Sequence, residues 1–337
     1  MTASPVAAIA EADWARAVAS IGSAAEIWLA CHVRPDADAL GSMLAVANAI
    51  RAGRPGTAVA ASFGEDPFEV PGILRFLPGQ PLLVPPAEYA PAPPVMVCFD
   101  AASLDRLGSL TGPAIAAGEL IVLDHHSSAA GFGTIRLVDP AAAATAMLAA
   151  ELITRLGVPL SQDIAVCLYA GLVTDTGSFK YSSTTPQVHE LAARLLATGI
   201  DPSAVARELY DRAPFGYLRM LAAALDRAVL EPAASHGRGL VWTSVRRADR
   251  APAKLPLDAA EPVIDVLRRT DEAEVAVVLK EDDQGCWQVS MRSKEVADVG
   301  AVAVALGGGG HARAAGFSYP GPAGEAVAAI LRQLGER

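Results

Sequence analysis

Short apolar runs alternate with segments of helical periodicity through the first two hundred residues. Each run is followed by polar or turn-forming residues, as expected at the end of a buried strand. The predicted strands cover 25–32, 57–63, 94–100 and 119–126, and the predicted helices cover 38–53, 144–157, 161–174 and 186–198. This alternation is typical of an α/β domain with a mainly parallel sheet, whose functional residues gather beyond the carboxyl ends of the strands.

A similar alternation restarts after residue 236, and we find no internal repeat. The predicted strands there cover 239–245, 274–281 and 286–292, and the predicted helices cover 261–269 and 322–334. Between the two regions, residues 201–230 show a helical pattern that is interrupted near Pro214. The sequence therefore predicts an N-terminal domain over 1–200, a helical connector over 201–235 and a smaller α/β domain over 236–337. We expect a cleft between the two domains.

The net charge of the chain limits which nucleic acids it can be expected to bind. The chain has 337 residues, 52% of them hydrophobic, and a formal net charge of −10. Proteins that follow long nucleic acids carry basic surfaces, because neutralisation of phosphates drives that binding. The acidic balance argues against long duplex nucleic acid as a partner, so a phosphate-ester substrate would have to be small.

Targeting signals and cysteine usage give two further expectations. Residues 1–18 lack a basic region followed by an apolar stretch, and no long uninterrupted apolar run follows, so we predict neither a signal peptide nor a membrane span. The cysteines are far apart and form no C-x-x-C pair: Cys31, Cys98, Cys167 and Cys286. We expect them to be small buried residues of a protein that is located in the reducing cytoplasm.

Histidines and aspartates follow several predicted strands. The candidate metal ligands are His32, Asp36, Asp38, Asp100, His125 and Asp175, and Asp124 and His126 lie at the same strand ends. Imidazole and carboxylate without thiolate suit Mn²⁺ and related divalent ions better than structural zinc. Several carboxylates in one pocket would repel each other unless cations balanced them. The pattern therefore indicates two divalent ions, and Asp100, at the end of a predicted central strand, is the candidate to bridge them.

Each residue taken alone also has a simpler interpretation. Asp38 could cap the helix that follows it, and Asp36 could be a turn residue after Pro35. Asp175 could form a turn before Gly177, and His125–His126 could be a polar pair at a strand end. These interpretations account for the residues separately but not for their joint arrangement, which favours a metal site.

Four ordered motifs resemble those of the Asp-His-His (DHH) phosphoesterase superfamily. They are HVRPDADALGS (32–42), CFDAAS (98–103), VLDHHSS (122–128) and GLVTDTGSF (171–179). The resemblance implies that the first domain is catalytic and binds one Mn²⁺ through His32, Asp36 and Asp100. It implies a second Mn²⁺ held by Asp38, Asp100, His125 and Asp175, with Mg²⁺ or Co²⁺ as alternatives. It further implies that Asp124 orients a histidine and that His126 contacts the scissile phosphate or the leaving oxygen.

The second domain contains the glycine-rich segment GGGGHARAAGF (307–317). Consecutive glycines let backbone N–H groups approach an anion, although a glycine-rich turn that enters a short helix is an equal alternative. Arg292 could bind a phosphate bidentately or could be an ordinary surface arginine. Residues 289–317 resemble the DHH-associated C-terminal domain of nano-RNases, and the whole chain resembles the oligoribonuclease and 3′-phosphoadenosine 5′-phosphate (pAp) phosphatase group. The resemblance implies that Arg292, Ser293, Gly309, Gly310 and His311 bind the phosphate and base of a nucleotide.

We therefore expect a hydrolase that degrades very short RNA, such as pApA, to 5′-mononucleotides by two-metal hydrolysis. pAp and cyclic di-AMP are further expected substrates, and the resemblance implies a homodimer. An inorganic pyrophosphatase or exopolyphosphatase of the same fold is the first alternative, although the glycine-rich segment argues against it. A nucleotide-sensing module without catalysis is the second. A redox dinucleotide-binding protein is disfavoured, because its glycine motif would follow the first strand.

Overall fold

The computed structural model describes residues 9–126 and 131–335. The chain divides into two compact units, Met1–Arg212 and Ala213–Arg337. Their boundary lies within the connector that the sequence predicts over 201–235.

The first unit combines five strands with seven helices within the described residues. The strands are β1 (Glu26–Cys31), β2 (Ala58–Phe63), β3 (Val95–Phe99), β4 (Glu119–Asp124) and β5 (Ile135–Val138). The helices are α1 (Glu11–Ser23), α2 (Ala37–Gly53), α3 (Thr111–Ala116), α4 (Thr145–Arg155), α5 (Gln162–Asp175), α6 (Pro186–Leu196) and α7 (Pro202–Tyr210). The pattern of apolar residues predicted most of these elements, but it missed α1, α3 and β5.

All strand pairs of the first sheet are parallel, as predicted, and the strand order is β2-β1-β3-β4-β5. Strand β3 lies at the centre and is buried along its whole length, which explains its continuous apolar sequence VMVCF. The carboxyl ends of β1, β3 and β4 are therefore neighbours. The residues that follow them are brought together at one edge of the sheet.

Helices α2 and α5 pack against each other more closely than ordinary side chains would allow. A Cβ atom on Gly41 would lie 2.5 Å from the carbonyl oxygen of Cys167. A Cβ atom on Gly171 would lie 2.9 Å from the Cα atom of Asp38. The two glycines thus set the distance between the helices that carry Asp38 and Asp175 at their ends.

The second unit contains a mixed six-stranded sheet. Its strands are β6 (Val229–Glu231), β7 (Leu240–Val245), β8 (Val275–Glu281), β9 (Trp287–Ser293), β10 (Gly309–His311) and β11 (Ala314–Tyr319), in the order β10-β11-β9-β8-β7-β6. Its helices are α8 (Phe215–Asp226), α9 (Ala234–Gly237), α10 (Arg247–Arg250), α11 (Val263–Leu267), α12 (Val299–Ala305) and α13 (Ala323–Gln333). One sheet face packs on α12 and α13, and the other packs on α8 and α11. The unit therefore has helices on both faces of its sheet, as an α/β domain requires.

Two further expectations concern the cysteines and membrane-spanning helices. Cys31, Cys98 and Cys167 are buried and Cys286 is half-buried, and none of them is in a disulfide. Among the described residues, no helix is both long enough and apolar enough to cross a lipid bilayer.

Candidate functional site

The predicted ligand-type residues of the first unit come together at the carboxyl edge of its sheet. His32 follows β1, Asp100 follows β3, and Asp124 ends β4 directly before His125 and His126. The remaining three aspartates lie at helix ends: Asp36 and Asp38 at the start of α2, and Asp175 at the end of α5. Ser127 and Ser128, which belong to the predicted third motif, lie outside the described residues.

Two groups of side chains form around Asp100. In the first group, His32 Nε2 lies 3.5 Å from Asp100 Oδ2 and 3.8 Å from Asp36 Oδ2. In the second, His125 Nε2 lies 3.2 Å from Asp175 Oδ2, 3.5 Å from Asp100 Oδ1 and 3.9 Å from Asp38 Oδ2. Each oxygen of Asp100 thus faces a different imidazole. This is the arrangement that a carboxylate bridging two ions needs.

Asp100 is held in an unusual backbone conformation. Its φ angle is +56°, in the left-handed region that non-glycine residues rarely adopt. The Asp100 backbone N–H donates to the carbonyl oxygen of Leu123, and Thr145 Oγ1 donates to Asp100 Oδ1 at 2.8 Å. Strain of this kind persists only where the surrounding structure enforces it, and it is common at functional sites.

The two aspartates of the first motif have different structural roles. Asp36, and not Asp38, caps α2: its Oδ1 accepts the N–H groups of Asp38 and Ala39. The interpretation of Asp38 as the cap of its own helix is therefore wrong. Asp38 instead accepts the N–H groups of Thr145 at 2.6 Å and Ala146 at 2.9 Å, which form the first turn of α4. Both carboxylates thus lie at helix N-termini, where the helix dipole favours negative charge.

The histidines present one nitrogen each to the carboxylates. His32 Nδ1 lies 2.8 Å from the carbonyl oxygen of Val33, and His125 Nδ1 lies 3.2 Å from that of Ala142. A carbonyl oxygen can only accept, so these contacts place the proton on Nδ1. Each Nε2 atom then faces the carboxylates and could ligate a metal, with the backbone fixing the orientation of each ring.

The buried carboxylates of the site carry more negative charge than neutral histidines can balance, and the pKa values of the side chains reflect this excess. Burial lowers the pKa of His32, but Asp100 and Asp36 outweigh it and raise this pKa to about 10. Burial likewise lowers the pKa of His125, and Asp175 with its neighbouring carboxylates raises it to about 11. Burial, together with the charges of Asp175 and Asp100, raises the pKa of Asp38 well above its usual range. In the metal-free protein, protons therefore balance the carboxylates.

A pair of divalent cations could replace those protons. The donor set consists of imidazole nitrogens and carboxylate oxygens at mutual distances that allow them to share an ion. Such a set suits Mn²⁺ and related ions. The residues present thus fit the metals that the sequence predicts.

Asp124 and His126 form a separate pair beside these groups. His126 Nδ1 donates to Asp124 Oδ1 at 2.7 Å, and Asp124 is fully buried. Asp124 Oδ2 has no hydrogen-bond partner among the described residues. Burial lowers the pKa of His126, but Asp124 and Asp100 outweigh it and raise this pKa. The histidine that Asp124 orients in this structure is therefore His126.

Two contributors to this site were not singled out from the sequence. Thr145 binds Asp38 through its N–H group and Asp100 through its hydroxyl group. Arg106 Nη2 lies 3.2 Å from His32 Nδ1. Neither residue stands in a ligand-type motif, and only the fold brings them to the carboxyl edge of the sheet.

In the second unit, the predicted nucleotide-binding residues lie on nearby strands. Arg292 and Ser293 end β9, and Gly309, Gly310 and His311 form β10. Strand β11 lies between them, and its residue Ala314 is paired with both Arg292 and His311. Ser293 Oγ donates to the carbonyl oxygen of Ala312 at 3.2 Å.

Gly307 lies in the turn after α12, and Gly309 and Gly310 belong to strand β10, so the glycine-rich segment leads into a strand and not into a helix. The structure thereby corrects that alternative. A Cβ atom on Gly308 would lie 2.1 Å from the carbonyl oxygen of Gly316, and one on Gly310 would lie 2.5 Å from that of Ala314. Gly310 also has a φ angle of +135°, which favours glycine. These glycines are therefore needed for close pairing with β11, whatever else their N–H groups bind.

Glu274 anchors the segment that follows Ser293. Its Oε1 accepts the N–H groups of Glu295, Val296 and Ala297 at 2.9, 2.6 and 3.0 Å. Burial raises the pKa of Glu274, but these three N–H groups and the charge of Arg313 outweigh it and lower the pKa. Sequence reasoning missed this contact, because a single glutamate before a strand is ordinary.

Comparisons with known proteins agree with both units. Residues 26–172 match the model of the DHH family, N-terminal domain, and residues 250–337 match the DHHA1 domain. The chain is 35% identical to the bifunctional oligoribonuclease and PAP phosphatase NrnA of Thermus thermophilus, over 91% of this chain and 88% of that protein. It is 27% identical to a probable enzyme of the same name from Streptococcus mutans, over 85% of this chain and 86% of that protein.

A solved structure supports the fold. The crystal structure of an exopolyphosphatase-related protein from Bacteroides fragilis matches with a TM-score of 0.85 and 24% identity, over 97% of this chain and 96% of that chain. With two matching domains, a relative at 35% identity and the grouped histidines and aspartates, the chain belongs to the DHH family and is a phosphoester hydrolase.

Proposed function

We propose that this hydrolase is a manganese-dependent phosphodiesterase that degrades very short RNA, from dinucleotides such as pApA upward, to 5′-mononucleotides. The same site would remove the 3′-phosphate of pAp and would hydrolyse cyclic di-AMP. The observation that carries the proposal is the position of Asp100 between two imidazole–carboxylate groups. The names of the relatives from Thermus thermophilus and Streptococcus mutans support the choice of short RNA and pAp.

Two Mn²⁺ ions are the proposed cofactors, with Mg²⁺ or Co²⁺ as possible replacements. One ion would be held by His32, Asp36 and Asp100, and the other by Asp38, Asp100, His125 and Asp175. When bound, paired divalent ions polarise a phosphoryl group and lower the pKa of water. The protein supplies the rest: it fixes the ligands in place through the backbone contacts of His32, His125 and Asp38.

His126 is the proposed contact to the scissile phosphate or the leaving oxygen. Its Nδ1 proton is engaged by Asp124, so Nε2 is the atom that would face the substrate. During hydrolysis the water oxygen bonds to phosphorus, the bond from phosphorus to the 3′ oxygen breaks, and that oxygen gains a proton. A protonated His126 can donate this proton from Nε2, and the neighbouring carboxylates favour its protonated form.

The second unit would recognise the nucleotide. Arg292, Ser293, Gly309, Gly310 and His311 are proposed to bind its phosphate and base. A small cationic set in a chain of net charge −10 favours substrates of a few nucleotides over long polymers. Homodimer formation and a cytoplasmic location stay predictions.

The decisive experiment incubates the purified protein with Mn²⁺ and, in parallel, pApA, cyclic di-AMP, pAp and pyrophosphate. Chromatography follows the nucleotide and phosphate products over time. We expect rapid release of AMP from pApA, and no turnover of pyrophosphate. Turnover of pyrophosphate alone would refute the proposed substrate class, and tight binding of pApA without products would favour a nucleotide-sensing protein. The variant His125→Ala provides the control for contaminating nucleases.

A further inference from the structure

Arg106 is a cation that lies beside the proposed metal ligand His32. It lies in the 3₁₀-helical segment Leu104–Leu110, a few residues after Asp100. Among the described residues, no carboxylate oxygen forms an ion pair with its guanidinium group. Its contact is with an imidazole: Nη2 lies 3.2 Å from His32 Nδ1. An arginine in this position has donors available for a ligand.

The position of Arg106 is fixed by its backbone. The Val33 N–H group donates to the Arg106 carbonyl oxygen at 2.9 Å, which ties the segment to the residue after His32. Leu107 and Leu110 of the same segment are buried. Gly108 has a φ angle of +57°, and a Cβ atom there would lie 2.3 Å from the carbonyl oxygen of Gly64. The guanidinium group therefore extends from a well-packed segment rather than from a free loop.

The contact to His32 competes with another one. His32 Nδ1 also lies 2.8 Å from the carbonyl oxygen of Val33. A ring nitrogen can donate to the carbonyl or accept from the arginine, but not both. When His32 ligates a metal through Nε2, its proton is on Nδ1 and is donated to Val33. Arg106 then has no acceptor at the imidazole.

We propose that Arg106 binds a non-bridging phosphate oxygen of the substrate at the metal centre. This inference rests on the proposed function, because it assigns a further substrate contact to the same site. A guanidinium group forms short, charge-assisted hydrogen bonds to phosphate and keeps its charge at any working pH. It adds positive charge where the negative charge of the transferred phosphoryl group increases.

The test compares Arg106→Gln with Arg51→Gln. Arg51 is a suitable control because it is exposed in the last turn of α2, and its side chain makes no ion pair or hydrogen bond within the described part of the chain. Calorimetry on the Mn²⁺-loaded proteins measures the Kd of inorganic phosphate and of AMP, and a separate titration measures the Kd of Mn²⁺. Steady-state kinetics use pApA and the artificial diester bis(p-nitrophenyl) phosphate.

For Arg106→Gln we expect roughly a ten- to hundred-fold loss of kcat/KM with both esters and about a ten-fold weaker Kd for phosphate. The Kd of Mn²⁺ should stay within about two-fold, and Arg106→Lys should recover part of the loss. An unchanged Kd of phosphate in Arg106→Gln would overturn the inference. A parallel weakening of the Kd of Mn²⁺ would also overturn it, because it would show that Arg106 only supports His32. Wild-type turnover of the artificial ester without turnover of pApA would refute the proposed substrate and still leave Arg106 testable.

Discussion

Asp100 connects the two groups of candidate metal ligands through a single carboxylate. Its two oxygens face different imidazoles, its hydrogen bond with Thr145 fixes the carboxylate, and its left-handed backbone turns it away from the direction of β3. A strand end alone would not give this geometry. Position, backbone conformation and a buried hydroxyl group together make the carboxylate available to both groups.

We predict that Asp100→Asn lowers kcat by at least about a hundred-fold. Loss of a hydrogen-bonded neighbour of a metal ligand already costs 10–100-fold, and a shared ligand should cost no less. Asparagine can still accept from Thr145, so the fold should persist. Asp105→Asn is the matched control, because Asp105 is exposed and close in sequence. Activity of Asp100→Asn within ten-fold of wild type would contradict the bridging role.

A second residue-scale prediction concerns protons. The pKa values of about 10 for His32 and about 11 for His125 mean that both rings are protonated at pH 7 in the metal-free protein. A metal ion requires neutral imidazole, so binding of Mn²⁺ should release protons, and its affinity should rise as the pH is raised from 6 to 8. Calorimetric titrations in buffers of different ionisation enthalpy measure this release. A heat that is independent of the buffer would contradict the prediction.

At the scale of elements, helices α2, α4 and α5 position the carboxylates through close packing. Asp38 belongs to α2, but its carboxylate accepts hydrogen bonds from the first N–H groups of α4. Gly171 of α5 packs directly against Asp38. The site therefore depends on the distances between helices as much as on the ligands themselves.

Gly171→Ala tests this dependence. The new Cβ atom would lie 2.7 Å from Asp38 Oδ1 and 2.9 Å from Asp38 Cα, so α5 or Asp38 must move. We expect a loss of roughly 1–3 kcal/mol in the free energy of unfolding and a weaker Kd for Mn²⁺. Chemical denaturation and metal titration measure the two effects. Gly112→Ala, where a Cβ atom would meet nothing within 4 Å, should show neither. Equal behaviour of the two variants would refute the packing argument.

At the scale of the whole molecule, the proposed metal ligands all belong to the first unit. Binding of an ion stabilises only the folded state that holds it, by about 2.7 kcal/mol at a concentration 100 times its Kd. Removal of metal should therefore loosen the first unit more than the second.

Hydrogen exchange measures this difference. Chelation of Mn²⁺ should speed exchange in peptides from β1, β3 and α2, while peptides from β8 and β9 keep their rates. The same comparison on Asp100→Asn should show a smaller response to chelation, since the metal sites are already impaired. Equal loss of protection in both units would show that the metals stabilise the molecule in another way.

The fold class, most element positions and the ligand-type residues could be predicted from the amino-acid sequence, because strand and helix periods and metal chemistry are local properties of residue type. The sequence could not show that Asp36 rather than Asp38 caps α2, that Asp38 completes α4, or that Thr145 and Arg106 lie at the site. It also missed β5 and, in the second unit, β6, β10, β11 and α12. Strands β5, β6 and β10 have only three or four residues, which is too few to show a periodicity. The contacts at the site depend on the folded chain, because pairs such as Asp38 and Thr145 are more than a hundred positions apart in the sequence. Only the packing of α2 against α4 and α5 sets such distances.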